Sequence, residues 1–189
     1  TLAAYTAQVA AQSVAEVHVT RAAMDAAFDG IVVNRHVLAQ LGAAMNSGRA
    51  LFLHGQAGSG KTYLAERLRD LLLGTISVPY ALMVDGEVIP FFDSVQHVVE
   101  GECEAKGGGG LDRGAAPDAR WVRCVRRPAA LAGGELTLDM LDLRFDPHTR
   151  LYQAPPHLKS NGGIFIIGDL GRQRCTPDAL MNRWIVPLD

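Results

Sequence analysis

The sequence predicts an α/β layered sheet, and three observations point to it. Two short apolar runs, Ala50-Leu51-Phe52-Leu53-His54 and Ile164-Phe165-Ile166-Ile167, have the pattern of strands buried on both faces, each with glycines alongside. Helical periodicity surrounds and separates them, and strands alternating with helices pack as layers. The first run also passes through a glycine-rich loop straight into a helical segment.

Taken in order, residues 2–28 are Ala-rich with few breakers and read as helix in two pieces, with Thr20 the N-cap of the stretch from Arg21. Asp29-Gly30 is a turn before Ile31-Val32-Val33. Asn34 caps a helix through Ala44, with Val37, Leu38 and Leu41 on one face, and Asn46-Ser47-Gly48 ends it. After the strand at 50–54 and the glycine loop, Leu64, Leu68, Leu71 and Leu72 predict a helix over 61–73 that stops at Gly74. Residues 76–92 read as extended and folded back at Asp85-Gly86, a dipeptide suited to a tight hairpin. Residues 101–120 hold Gly107 to Gly110, Gly114 and Pro117 with little apolar content, and predict a mobile surface loop. An ordered stretch over 121–132 follows, then a short helix near 136–141. A hairpin pairs 143–145 with 151–153 around Asp146-Pro147-His148-Thr149. The strand at 164–167 precedes a helix from Pro177 capped by Thr176.

Composition narrows the classes. A chain of 189 residues, 48% apolar and 20% charged, can bury about 70% of its unfolded-chain surface, which excludes a disulfide-stapled mini-domain and a disordered chain. Eighteen basic against twenty acidic side chains leave a net charge of −2, so no overall positive field draws in nucleic acid or an anionic membrane. Cys103, Cys124 and Cys175 have no C-x-x-C spacing and read as ordinary thiols in a reducing compartment. No basic n-region precedes Arg21, and no apolar run reaches the roughly 18 residues of a membrane span. The expectation is a cytoplasmic protein.

Gly55-Gln56-Ala57-Gly58-Ser59-Gly60-Lys61-Thr62 satisfies G-x-x-x-x-G-K-[ST] in full, after an apolar run and opening a helix. The glycines let the backbone curl so that successive N–H groups point inward, and the helix N-terminus adds about half a positive charge toward the same point. That geometry suits a polyphosphate. Lys61 would bridge the β- and γ-phosphates and the Thr62 hydroxyl would ligate Mg²⁺, with Tyr63 in the first helical turn beside them. Only three lysines occur against fifteen arginines, so a lysine here does not reflect bulk composition. His54 reads as a packed strand-end histidine.

Asn161-Gly162-Gly163-Ile164-Phe165-Ile166-Ile167-Gly168-Asp169 supplies one acid, Asp169, at the end of the second apolar run, where an ATPase needs a magnesium-directing carboxylate and a second to activate water. On these motifs the chain resembles AAA+ ATPases with an insertion in the second helix: MoxR-like ATPases, magnesium-chelatase subunits and bacterial enhancer-binding activators. Asp169-Leu170-Gly171-Arg172-Gln173-Arg174 and Asn182-Arg183-Trp184-Ile185-Val186-Pro187-Leu188 look closer to a group of bacterial predicted AAA ATPases.

The resemblance implies a P-loop NTPase three-layer αβα sandwich of AAA+ type, with a mainly parallel sheet ordered 5-1-4-3-2. It implies an N-terminal helical segment at 1–28, and a partial AAA+ nucleotide-binding domain at 29–189 that stops before the sensor strand, lid and arginine finger. It also implies ATP and Mg²⁺ as ligands, Lys61 and Asp169 as catalytic groups, and Thr62 and Asp169 at the metal. A homo-oligomeric ring acting on a partner macromolecule would complete the system.

Gly168 departs from the pattern, since it takes the place of the magnesium-directing aspartate. Either Asp169 moves to serve the metal, or Mg²⁺ relies on Thr62, phosphate and water. The same resemblance puts Ile31 and Val32 against adenine, with plain core packing as the alternative. Arg172 and Arg174 read as a solvated loop rather than a reach to a neighbouring phosphate. Arg120, Arg123, Arg126 and Arg127 read as surface charge, with no aromatic series to indicate nucleic acid. Three function classes remain: a ring ATPase, a nucleotide-dependent switch that hydrolyses poorly because of Gly168, and a P-loop kinase. The kinase is disfavoured by the long insertion between glycine loop and acidic strand. No N-K-x-D supports a GTPase.

Overall fold

The computed structural model describes residues 1–15, 17–101 and 118–184. The fold is mixed α/β. Helix α1 (Leu2–Ala11) is capped by the Thr1 side chain, which accepts from Ala4 N–H. Helix α2 (Arg21–Ala27) starts at Thr20, whose hydroxyl accepts from Ala23 N–H, and α3 (Arg35–Asn46) starts at Asn34, whose amide oxygen accepts from His36 N–H. These caps satisfy helix-end amides that would otherwise lack partners. Gly48, at φ 65°, follows α3.

Helix α4 (Lys61–Leu68) tightens into a 3₁₀ turn over Arg69–Leu71, so the helix expected over 61–73 ends early. Leu68 and Leu71 are still driven into the core, and Gly74 still breaks the chain at φ 96°.

Strands β1 (Ile76–Pro79) and β4 (Trp121–Cys124) pair antiparallel, as do β2 (Ala81–Val84) and β3 (Glu87–Pro90). The β2–β3 turn puts Asp85 at φ 51° and Gly86 at φ 84°, the two left-handed residues a tight hairpin needs. Strand β5 (Ala129–Ala132) runs parallel to β8 (Ile164–Ile167). Strands β6 (Arg144–Asp146) and β7 (Leu151–Gln153) form the expected second hairpin. The short helix near 136–141 is a 3₁₀ turn at Leu138–Leu141. Helix α5 (Pro156–Lys159) precedes β8, and α6 (Pro177–Trp184) follows it, with the Thr176 hydroxyl accepting from Ala179 N–H.

Two expectations fail. The apolar run at 50–54 carries no regular secondary structure and joins no ladder among the described residues. A strand is held by its neighbours' hydrogen bonds. Without a paired neighbour, only Leu53 packs into the core, while Leu51 and Phe52 are 39% and 70% exposed. Of the four ladders among the described residues, only β5–β8 is parallel, and β8 has that single neighbour rather than two. The mobile loop expected at 101–120 falls largely on residues 102–117, outside the described residues.

Among the described residues three clusters make the core. The first joins Tyr5 of α1 to Ile76, Val78, Leu82, Ile89 and Val122 of the antiparallel strands and to Phe91 just past β3. Gln12 fastens α1 to β1 by bonding the Ser77 backbone at both N–H and carbonyl, each at 3.0 Å. The second cluster gathers Met24, Phe28, Leu41, Leu68 and Leu71, with Leu53, Leu64 and Ile164 packed against it. The third holds Leu136, Leu141 and Leu180, with Phe165, Ile167 and Trp184 packed on it. Because side chains alternate along a strand, β8 turns Ile164 to the cluster of helices α2 to α4, and Phe165 and Ile167 to α6. Helices therefore cover both faces of this strand.

Arg127 is a charged side chain in the interior, where His97 and Ser160 are also buried. It is 6% exposed, and one guanidinium nitrogen donates to Gln12 O at 3.0 Å and to Gly162 O at 2.7 Å. Burial pushes its pKa down. The expectation of four surface arginines is thus corrected at Arg127, which ties the end of α1 to the turn before β8.

Candidate functional site

The glycine loop leads into α4 as expected, but the strand expected before it does not form. Gly58 and Gly60 take φ 78° and 79°, left-handed values that a side chain disfavours, and no atom stands within 4 Å of a Cβ built on either. Conformation, not crowding, calls for glycine there. Gly60 is the N-cap of α4 and makes no side-chain cap bond, so the first-turn amides, at the positive end of the helix, have no side chain to satisfy them. Residues 54–60 are exposed throughout, leaving the loop open to solvent.

Lys61 folds back over this loop. Its Nζ donates to Gly55 O at 3.1 Å and to Gln56 O at 2.8 Å. The ammonium therefore sits beside the loop's own carbonyls, and an incoming anion can draw it off them with the loop amides still in place. Gln56 O also accepts from Ser59 N–H at 3.3 Å, which curls the loop through Ala57. Thr62 presents an exposed hydroxyl. Tyr63 is engaged elsewhere: Arg67 lies 5.2 Å from its ring centre and donates to its hydroxyl at 3.0 Å. His54 is exposed and stacked on Phe52 at 6.4 Å, not packed at a strand end, because the strand expected around it does not form.

Asp169 stands two residues past the end of β8, exposed, at φ 52°. Helix α4 packs against β8, with Leu64 and Ile164 both on the helical core cluster, so the strand bearing the acid lies against the helix bearing the lysine. Gly168 continues the parallel ladder, its N–H donating to Ala132 O at 2.8 Å. A Cβ at 168 would meet Leu131 Cδ1 at 3.6 Å and Ala132 O at 3.7 Å, ordinary contact distances. The backbone does not demand glycine at this position.

The Ile31-Val32-Val33 run is only partly core. Ile31 and Val33 pack on the helical cluster, whereas Val32 is fully exposed at 105%. Arg172 and Arg174 are exposed on the loop after β8. Arg120 and Arg123 are committed to carboxylates, Asp118 at 2.6 Å and Glu100 at 2.7 Å, and hydrogen bonds from Arg120 hold the Asp118 carboxyl down to about 2. A groove of about 390 Å³ between α2 and α3, lined by Arg21, Met24, Arg35 and Asn46, includes none of the loop residues.

Sequence reasoning missed Gln173. Its side-chain amide bonds the backbone on both sides of Asp169, accepting from Gly171 N–H at 2.8 Å and donating to Gly168 O at 2.5 Å. A glutamine just past an Asp-Leu-Gly turn is the only signal the sequence carries for it.

Among the described residues no group of three or more His, Cys, Asp or Glu side chains is placed to hold a metal ion. Thr62 and Asp169 offer two side-chain ligands, which fits Mg²⁺ carried in by a polyphosphate better than an all-protein cage. No helix among the described residues is long and apolar enough to cross a membrane. No family model matches this chain, and no curated protein matches it.

Proposed function

We propose that this chain is the ATP-binding module of an AAA+-type P-loop ATPase, with the loop at 55–60 as its triphosphate cup. One observation carries the reading. An uncapped helix N-terminus stands behind a left-handed glycine loop, with a lysine ammonium already at the loop's rim. The helix-covered parallel strand β8, with Asp169 at its end, supports the finer assignment to a three-layer αβα sandwich.

In this reading Gly55, Gln56, Ala57, Gly58, Ser59 and Gly60 supply backbone amides to the phosphates, and Lys61 leaves the loop carbonyls to neutralise the β- and γ-phosphates. Thr62 offers its hydroxyl to Mg²⁺, which when bound with ATP supplies charge neutralisation across the phosphates. Asp169 is the remaining carboxylate, shared between the metal side and the attacking water. Exposed Val32 provides an aliphatic surface for the base. The complete system would be a cytoplasmic homo-oligomeric ring that uses the cycle to remodel a partner macromolecule.

A second reading, a nucleotide-dependent binding switch with weak hydrolysis, is favoured by Gly168. The site tolerates a side chain there yet lacks the carboxylate.

Single-turnover cleavage of ATP by the complete protein, and by its Gly168→Asp and Lys61→Ala variants, tests both. Slow cleavage that Gly168→Asp speeds on the order of tenfold and Lys61→Ala abolishes supports the switch. Robust cleavage that Gly168→Asp leaves unchanged supports the ATPase. Cleavage indifferent to Lys61→Ala refutes both.

A further inference from the structure

We propose that Gln173 is the positioning residue for Asp169, an inference that rests on the functional reading above. The ladder to β5 ends at Gly168, and the chain then reverses over Asp169–Arg172, closed by Arg172 N–H donating to Asp169 O at 2.9 Å. Within that turn Asp169 adopts φ 52°, a left-handed conformation that Asp tolerates better than most residues but that still costs free energy. Left alone, the residue would return to the extended or right-handed region and its carboxylate would swing away.

The Gln173 amide opposes this. One planar group grips the carbonyl of the residue before Asp169 and the N–H of the second residue after it. The grip itself is anchored, because Arg174 N–H donates to Leu136 O at 3.0 Å, and Leu136 is fully buried. Gly134 lies against the same turn, where a Cβ would come 3.3 Å from Arg172 O.

The side chain must offer a donor and an acceptor at the reach of glutamine. Glutamate has the same shape but no amide donor, so at neutral pH it would set a carboxylate oxygen against the Gly168 carbonyl. Asparagine is one methylene short. Gln173 thus acts on the metal side of the site through Asp169 and leaves the glycine loop alone.

The experiment uses the full chain and measures two quantities for the wild type, Gln173→Glu, Gln173→Ala, Asp169→Asn and the double variant Gln173→Glu/Asp169→Asn. One is ATP affinity in EDTA. The other is the Mg²⁺ concentration that half-saturates the metal-dependent gain in ATP affinity. Both single Gln173 variants are expected to keep the EDTA affinity within about twofold, and to raise the Mg²⁺ requirement by about tenfold, as loss of a group orienting a metal ligand does. Asp169→Asn raises it similarly, and the double variant adds nothing, since both changes remove one interaction.

If Asp169→Asn raises the Mg²⁺ requirement while Gln173→Glu and Gln173→Ala do not, the proposal is overturned and the functional reading stands. The proposal is overturned in the same way if the double variant shows the sum of the two effects, or if the Gln173 variants weaken EDTA affinity equally, as a merely structural role would. If the wild type binds no ATP, or Asp169→Asn has no effect, the assignment of Asp169 falls and the proposal falls with it.

Discussion

Replacing Gly163 by alanine should destabilise the fold severely, and the geometry gives the size of the effect. A Cβ at 163 would lie 1.9 Å from the Pro128 carbonyl oxygen and 2.9 Å from both its carbonyl carbon and its Cδ. These are backbone and ring atoms that cannot rotate aside. To reach ordinary contact the start of β8 must move from Pro128 by about 1 Å or more, in an interior packed too densely to absorb it. That shift breaks the bond from Ile164 N–H to Pro128 O, now 3.0 Å, which is the first link of β8 to the chain entering β5. Overpacking costs about 1–3 kcal/mol and an orphaned buried N–H about 1–3 kcal/mol more, so Gly163→Ala should lose about 2–6 kcal/mol. In a chain of this size that is a drop in melting temperature of roughly 4–24 °C. Gly168→Ala is the internal control. Its Cβ meets only ordinary contacts at 3.6 and 3.7 Å, so it should stay within about 1 kcal/mol of the parent. Thermal and urea melts followed by circular dichroism measure both. A Gly163→Ala protein melting within about 2 °C of the parent, or a Gly168→Ala protein that loses more than about 4 °C, would refute the packing argument.

Further outcomes follow from buried titratable groups. His97 is 1% exposed, with Asp93 N–H donating to Nδ1 at 2.9 Å, which leaves its proton on Nε2, 2.8 Å from Lys159 O. Burial pushes its pKa below the ordinary value, and burial does the same at His157. The unfolded chain therefore takes up protons first as pH falls below about 6.5, so stability is full above that pH and is lost on acidification. Urea melts between pH 7.5 and pH 5 should show this slope, and His97→Gln should flatten it; an unchanged slope contradicts the assignment. Cys124 is fully buried and its thiol is pushed up to about 11 by desolvation, so mass spectrometry after iodoacetamide treatment at pH 8 should find it unmodified in native protein and modified in urea. Arg127→Met should cost about 1–3 kcal/mol through the orphaned Gln12 and Gly162 carbonyls, and limited proteolysis should then cut first between α1 and α2.

What the sequence disclosed follows the range of the interactions involved. The caps at Thr20, Asn34 and Thr176 each involve atoms two or three residues apart, and each was legible. The Asp85-Gly86 hairpin was legible for the same reason, since both residues carry the left-handed φ values their types favour. The run at 50–54 was not, because an apolar segment becomes a strand only if another segment offers it a ladder. Arg127 was hidden among neighbouring arginines, as nothing local distinguishes a buried guanidinium from a solvated one. It is long-range contact with Gln12 and Gly162 that buries it. At the candidate site the turn through Gly58 and Gly60 into α4 was legible, since left-handed φ values at those glycines are local, but the missing strand before it was not. Gln173 was not, because its bonds exist only once the turn at Asp169–Arg172 has formed.

The most direct test of the triphosphate cup is isothermal titration of the chain with ATP, ADP and AMP in the presence of Mg²⁺, repeated on Lys61→Ala. The proposed cup, with the Lys61 ammonium over the loop and the uncapped start of α4 behind it, predicts measurable binding of ATP and ADP, weak or absent binding of AMP, and loss of at least about tenfold in ATP affinity on removing the lysine. AMP binding as tightly as ATP, or ATP binding that ignores Lys61→Ala, would contradict it.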